Sequence, residues 1–146
     1  MPIKNVTDDG LARRIYDLVA EINGVKKYVD AKGWDPDNIE EFIRLSLTST
    51  KKAGKDFDGQ LYRDIIRMYN NGNWKFDVSW AFDARSLNRG LETRIPDLIS
   101  DTIESNSKLL GRLMRDLNID LLNDFVRRDF LNTLRNGLND FIMVVE

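Results

Sequence analysis

The chain has no cysteine and no histidine among its 146 residues. Without cysteine it can form neither a disulfide nor a zinc–thiolate or iron–sulfur site. Without histidine it lacks the usual general base near neutral pH and the commonest ligand of transition metals. Catalysis would have to use carboxylates, Lys, Tyr or Ser, and a bound metal would be a hard, oxygen-ligated cation. These absences predict a protein that is not an enzyme and that carries no cofactor and no metal.

Long apolar runs are missing as well. None approaches the roughly 20 residues of a transmembrane helix, and the start "MPIKNVTDDG" has no apolar core of signal-peptide type. We therefore expect a cytoplasmic protein that does not contact membranes. The composition, with 42% hydrophobic and 32% charged residues, is that of a globular protein, and the length fits one domain over residues 1–146.

The spacing of apolar residues predicts a mainly α fold. Between residue 7 and Gly33 the spacing alternates between four and three residues, which places the side chains on one face of a helix. The members of this first stripe are Leu11, Ile15, Leu18, Ile22, Val25 and Val29. Further helices are expected to begin at Pro36, with Asp58 as a cap, at Pro96 and close to Leu121. The polar segment 48–56 is expected to be a loop.

One segment departs from this helical pattern. Five apolar residues alternate with Lys75, Asp77, Ser79 and Ala81, and a spacing of two is typical of a half-buried strand. They are Trp74, Phe76, Val78, Trp80 and Phe82. The predicted fold is therefore a single-domain helical bundle of about five helices with one short β element near 74–82.

A single strand needs a partner for its backbone amides and carbonyls. Two partners stay open: the C-terminal "FIMVVE" of the same chain, or a strand of another molecule added to the edge. In the first case the aromatic face belongs to the core, and in the second it is the functional site. We favour the core for this face, which leaves the edge backbone and the loop from Arg85 to Arg94 as the contact surface.

The functional prediction is a protein–protein interaction module of adaptor, inhibitor or immunity type. It would bind a protein partner or form a homodimer. The predicted contact residues combine the aromatic segment with the basic loop that follows it. They are Trp74, Trp80, Phe82, Arg85, Arg89 and Arg94.

The alternative function is that of a nucleic-acid-associated accessory protein. Residues 44–94 carry 10 Lys and Arg against 6 Asp and Glu, whereas both flanking regions are acidic. A basic surface of this kind can contact phosphates, and exposed tryptophans can stack on bases. The candidate contacts are Lys51, Lys52, Lys55, Arg63, Arg67 and Lys75. The overall pI near 5.3 argues against this alternative.

Three other polar features have structural explanations. The acids of "DPDNIEE" at 35–41 are expected to lie at a helix N-terminus, where the dipole favours them. The stretch "KDFDGQLYRDI" resembles a calcium loop, but Gly54 and Ile65 occupy positions that require oxygen ligands. Asn106 lies on an apolar stripe of the fourth helix. It could set the register of a core, or it could lie at the edge of the stripe and bond to a neighbouring loop.

Overall fold

The computed structural model describes residues 6–7, 15–16, 18–22, 24–33, 36–52, 55–70, 73–83 and 91–145. In this part of the chain ten strands, five α-helices and one 3₁₀ turn (Pro36–Asn38) are present. The strands are β1 (Val6–Thr7), β2 (Ile15–Tyr16), β3 (Leu18–Ile22), β4 (Val25–Lys32), β5 (Ser49–Lys52), β6 (Lys55–Asp58), β7 (Tyr69–Asn70), β8 (Asn73–Trp74), β9 (Val78–Asp83) and β10 (Ile142–Val145). The helices are α1 (Ile39–Leu47), α2 (Gln60–Met68), α3 (Leu91–Ser105), α4 (Ser107–Asp116) and α5 (Asp124–Phe141).

A mixed sheet of four strands forms one layer of the fold. The strand order is β10-β9-β4-β3, with β4, β9 and β10 parallel and β3 antiparallel to β4. The connection from β4 to β9 contains α1 and α2, and the connection from β9 to β10 contains α3, α4 and α5. Parallel strands need such long crossovers, because a tight turn can join only antiparallel neighbours.

The helices form the second layer around α3. This helix contacts α1, α4 and α5, and its residues Ile99 and Ile103 are fully buried. The face of β9 that carries Val78, Trp80 and Phe82 supplies the sheet side of the same core. The protein is therefore an α/β fold, and the prediction of an all-α helical bundle with one short β element is wrong.

The first predicted helix is the main source of this error. Residues 18–22 and 25–32 form the hairpin of β3 and β4, in which Ile22 pairs with Val25 and Leu18 pairs with Val29. A spacing of four residues keeps positions on one face in a strand as well as in a helix, because four is a multiple of two. The spacing of three between Ile22 and Val25 spans the two-residue turn. The sequence there is Asn-Gly, and Gly24 has φ 78°, as such turns require.

Several helix boundaries also differ from the predictions. Segment 48–56 is not a loop, since most of it belongs to the hairpin of β5 and β6. Asp58 does not cap α2, whose N-cap is Gly59. Pro96 lies inside α3 rather than at its start. Neither predicted role of Asn106 is correct, because this exposed residue caps α4 by accepting a hydrogen bond from the Leu109 amide at 3.1 Å.

The pairing of the aromatic strand is resolved. β9 runs from Val78 to Asp83, shorter than the predicted 74–82, and has β4 on one side and β10 on the other. The C-terminal "FIMVVE" thus supplies β10, as one of the two alternatives predicted. Since both edges of β9 are occupied, the predicted addition of a foreign strand to this edge is wrong.

Candidate functional site

Two of the predicted partner-binding aromatics belong to the core. Trp80 and Phe82 are 0% and 2% exposed. The indole Nε1 of Trp80 donates to Asp64 Oδ2 at 2.7 Å, and its ring lies 5.3 Å from that of Phe141. Neither side chain can touch a partner while the domain is folded, so their assignment as contact residues is wrong.

Trp74 lies in an aromatic cluster at the other end of the same segment. Its ring stacks on Phe76 at 5.3 Å and on Phe130 at 5.6 Å, and Tyr69 meets it edge-on at 4.9 Å. Its Nε1 donates to Thr133 Oγ1 at 2.9 Å. The half-buried indole lines a small cleft of about 80 Å³. Trp74 therefore connects β8 to α5. Only part of its ring is accessible to solvent.

The predicted basic loop lies mostly outside the described residues. Arg85 and Arg89 fall in 84–90, which the structure does not describe, whereas Arg94 is exposed in the first turns of α3. Lys51, Lys52 and Lys55 belong to β5 and β6, but their side chains are not among those described.

The remaining cations of the nucleic-acid alternative do not share one role. Arg67 donates to Asp77 Oδ2 at 2.9 Å, and its guanidinium lies 5.3 Å from the centre of the Tyr28 ring. Arg63 is half-buried and Lys75 is exposed. Because Arg67 joins α2 to the sheet, the predicted pair of Arg63 and Arg67 does not form a free phosphate-binding face.

A buried polar cluster lies at the carboxyl end of β4, where α/β sheets often hold ligands. Lys32 Nζ donates to Asp30 Oδ2 at 2.8 Å and to Gln60 Oε1 at 2.5 Å, and it lies 4.1 Å from the Trp80 ring centre. The side chains of Lys32 and Asp30 are only 7% and 11% exposed. With its donors directed at protein acceptors, Lys32 joins the start of α2 to the sheet rather than facing a substrate.

Three of the five exposed large apolar side chains in the described ranges lie elsewhere, at the turn between α4 and α5 and in the first turn of α5. Leu121 is 40%, Leu122 92% and Phe125 80% exposed. We name these three residues the corner surface. The sequence predicts that the last helix begins close to Leu121, but α5 begins at Asp124, so Leu121 and Leu122 belong to the turn before it.

Local hydrogen bonds hold the backbone of the corner in place. Asn118 adopts φ 57°, a left-handed conformation that ends α4, and the Ile119 amide donates to the Met114 carbonyl at 2.8 Å. Asp120 Oδ1 accepts from the Leu122 amide at 3.0 Å. Asn123 then caps α5 by accepting from the Val126 amide at 3.2 Å. The turn therefore presents its apolar side chains to solvent from an ordered backbone.

A cleft of about 800 Å³ adjoins the corner surface. We name it the corner cleft. One wall comes from α4, with Lys108, Arg112 and Arg115, and the other comes from the turn, with Ile119, Asp120 and Leu121. Three cations thus face one carboxylate, although the whole chain carries a net charge of −2. An apolar rim beside a basic wall suits a ligand that is apolar on one side and acidic on the other.

We name Lys108, Arg112 and Arg115 the basic wall. Arg112 connects this wall to the rest of the protein. Its guanidinium donates to Asp58, at the end of β6, and lies 4.5 Å from the ring centre of Tyr62. Burial alone would lower the pKa of Arg112, but the bond to Asp58 and the charges around it raise this pKa above its ordinary value. Tyr62 donates to Asp116 Oδ2 at 2.5 Å. Burial raises the pKa of Tyr62, and the bond to Asp116 raises it further.

One sequence signal could have revealed the corner. At 3.6 residues per turn, Phe125 lies about 140° around α5 from the buried Phe130, whereas Val126 lies about 40° away. Phe125 is therefore off the stripe that continues through Phe130, Leu134 and Leu138, all buried. An apolar side chain on the far side of an amphipathic helix needs a second surface to cover it, and the described part of the fold supplies none for Phe125.

Other kinds of site find little support in the described residues. No group of three or more acidic side chains there is placed to hold a metal ion. In the "DPDNIEE" segment, Glu41 accepts a hydrogen bond from Arg44 at 2.5 Å on the exposed side of α1. None of the helices in the described ranges is long and apolar enough to cross a membrane. Comparisons with known protein families, with curated proteins and with solved structures found no match.

Proposed function

We propose that this protein is a non-enzymatic protein–protein interaction module and that the corner surface is its contact site. One observation carries this proposal: Leu122, on the ordered turn, and Phe125, in the first turn of α5, are 92% and 80% exposed. Single exposed apolar residues are common, but three of them within five positions of the chain, two of which line a cleft, are typical of an interface. The proposed class of function is the one predicted from the sequence. The proposed contact site is the corner surface instead of the buried Trp80 and Phe82.

The proposed partner is a protein, and a second copy of the chain is one form that it can take. The cytoplasm is the proposed location, which fractionation of the source cells tests. The nucleic-acid alternative is not retained, because Arg67 is bonded to Asp77 and Trp80 is buried in the core.

The test combines capture with a measured affinity. The native chain and the double variant Leu122→Ser, Phe125→Ser are immobilised and exposed to an extract of the source cells. The matched control is Leu45→Ser, which removes a 44% exposed leucine from α1. A protein held by the native chain is identified, purified and titrated against all three forms.

We expect the double variant to weaken binding by at least about tenfold, because interface energy concentrates in a few apolar anchors. The control should bind like the native chain. Sedimentation velocity of the native chain alone shows whether the partner is a second copy. Equal affinities of the native chain and the double variant would exclude the corner as the contact site.

A further inference from the structure

We infer that the corner surface and the corner cleft together receive an acidic amphipathic helical segment of the partner, an inference that rests on the proposed function. The proposed function requires only that Leu122 and Phe125 contact a protein. The chemistry of that protein's segment follows from the charges and spacing of α4.

The basic wall is a regular stripe. Lys108, Arg112 and Arg115 follow one another at spacings of four and three residues, so they lie on one face of α4. At a rise of about 1.5 Å per residue, the stripe is about 10 Å long, which corresponds to two turns of a helix. A partner helix with acids seven residues apart can therefore meet Lys108 and Arg115 at the two ends of the stripe.

Two of these cations are available to a partner. Lys108 and Arg115 are exposed, and neither forms a salt bridge with another described residue. Arg112 is bonded to Asp58 and helps to hold the wall in position. Two nearby acids lie beside other cations, Asp116 at 3.9 Å from Arg112 and Asp124 at 2.8 Å from Arg127, and Asp120 is the carboxylate in the lining of the cleft. The charged side chains that line the cleft therefore carry a net positive charge.

The opposite side of the cleft selects for apolar side chains. Leu121 and Leu122 both contribute to the lining, and Leu122 is the more exposed of the two. Gly111 on α4 lies close to the turn, since Cδ2 of Leu121 is 3.5 Å from where a Cβ of residue 111 would be. A helix lying in the cleft would thus place its apolar stripe against the turn and its acidic stripe against α4, which is recognition of a helix in a groove.

The experiment uses the full chain and three synthetic helical peptides of about five turns each. The first has a leucine stripe flanked by glutamates. In the second the glutamates are lysines, and in the third the leucines are serines. Binding is measured by isothermal titration calorimetry, and the amide resonances of Gly111 and Ile119 report whether a bound peptide occupies the cleft.

We expect the first peptide to bind at least about tenfold more tightly than either of the others, and to bind more weakly as salt rises. The variant Lys108→Glu, Arg115→Glu should lose most affinity for the first peptide and gain affinity for the lysine peptide. The matched control Lys75→Glu, Arg94→Glu makes the same change of charge at exposed positions outside the cleft and should leave both affinities unchanged.

Several outcomes overturn the inference. They are a lysine peptide that binds as well as the glutamate peptide, no binding of any peptide, or no effect of the charge reversal. Tighter binding to anionic vesicles or to an oligonucleotide, or a self-association that Leu122→Ser, Phe125→Ser abolishes, would also overturn it. The proposed function fails separately, when a captured protein partner does not depend on Leu122 and Phe125.

Discussion

Strand β9 and the corner surface are both strongly apolar, yet their environments are opposite. Trp80 in β9 is fully buried, whereas Leu122 at the corner is almost fully exposed. β9 has a strand on each side, and its Trp80 contacts α2 and α5. The corner lies where two helices end and where no described element crosses over it. Apolar character alone therefore does not identify the core. Whether an apolar side chain stabilises the fold or stays accessible to a partner depends on which strands and helices pack against it.

The largest expected effect comes from Trp80→Ala. Truncating a fully buried aromatic side chain leaves a cavity and typically costs about 3–5 kcal/mol in the free energy of unfolding. Here it also removes the indole that donates to Asp64. Urea denaturation followed by circular dichroism measures the loss. A loss of unfolding free energy under about 1 kcal/mol would mean that Trp80 is not part of the core. The contrast between β9 and the corner surface would then be wrong.

The same contrast explains how much of the fold the sequence predicts. The positions of α1, α2 and the later part of α5 follow from their apolar spacing, whereas β10 was only one of the two partners that the sequence left open for the aromatic strand. The hairpin of β3 and β4 does not follow from spacing alone, because a stripe at i and i+4 fits both a helix and a strand. The Asn-Gly at 23–24 was the local signal for it.

That signal is not reliable by itself. The chain has Asn-Gly at 71–72, between the paired Asn70 and Asn73, but also at 136–137, inside α5. Tertiary packing decides between these outcomes. The corner surface was not predicted for a related reason, since the elements that cover an apolar side chain can be distant from it in sequence.

Gly137→Ala is expected to have an intermediate effect on the free energy of unfolding. It tests the buried later part of α5, whereas the exposed Phe125 lies at the start of the same helix. The later part of this helix packs closely, and a Cβ on residue 137 would overlap the ring of Phe76. Overpacking of this kind costs about 1–3 kcal/mol. It outweighs the gain of up to about 1 kcal/mol that alanine normally brings to a helix.

A double-mutant cycle separates these two effects. In the background of Phe76→Ala the overlap is removed, so Gly137→Ala should stabilise the protein. Thermal and urea denaturation of the four forms measures the coupling. If Gly137→Ala destabilises equally in both backgrounds, the ring of Phe76 is not the cause.

A smaller effect is expected at the anchor of the basic wall. Tyr62→Phe removes the bond to Asp116 and should cost about 1 kcal/mol at neutral pH. Because the folded state raises the pKa of Tyr62 above its ordinary value of 10.0, this stabilisation is fully present below pH 10.0 and is lost as the pH rises further. The difference in unfolding free energy between native and variant should therefore shrink above pH 10.0. A difference that stays constant through this range would contradict the burial and bonding of this hydroxyl.

The smallest effect is expected at the corner surface. Leu122→Ser together with Phe125→Ser should change the free energy of unfolding by no more than about 0.5 kcal/mol, because exposed side chains lose little contact when they are replaced. Urea denaturation of this double variant and of Trp80→Ala under the same conditions compares the two losses directly. A loss of several kcal/mol would mean that part of the chain outside the described residues covers the corner in the free protein. A negligible loss means that folding does not account for these two side chains, and that their apolar character is left to be explained by what they bind.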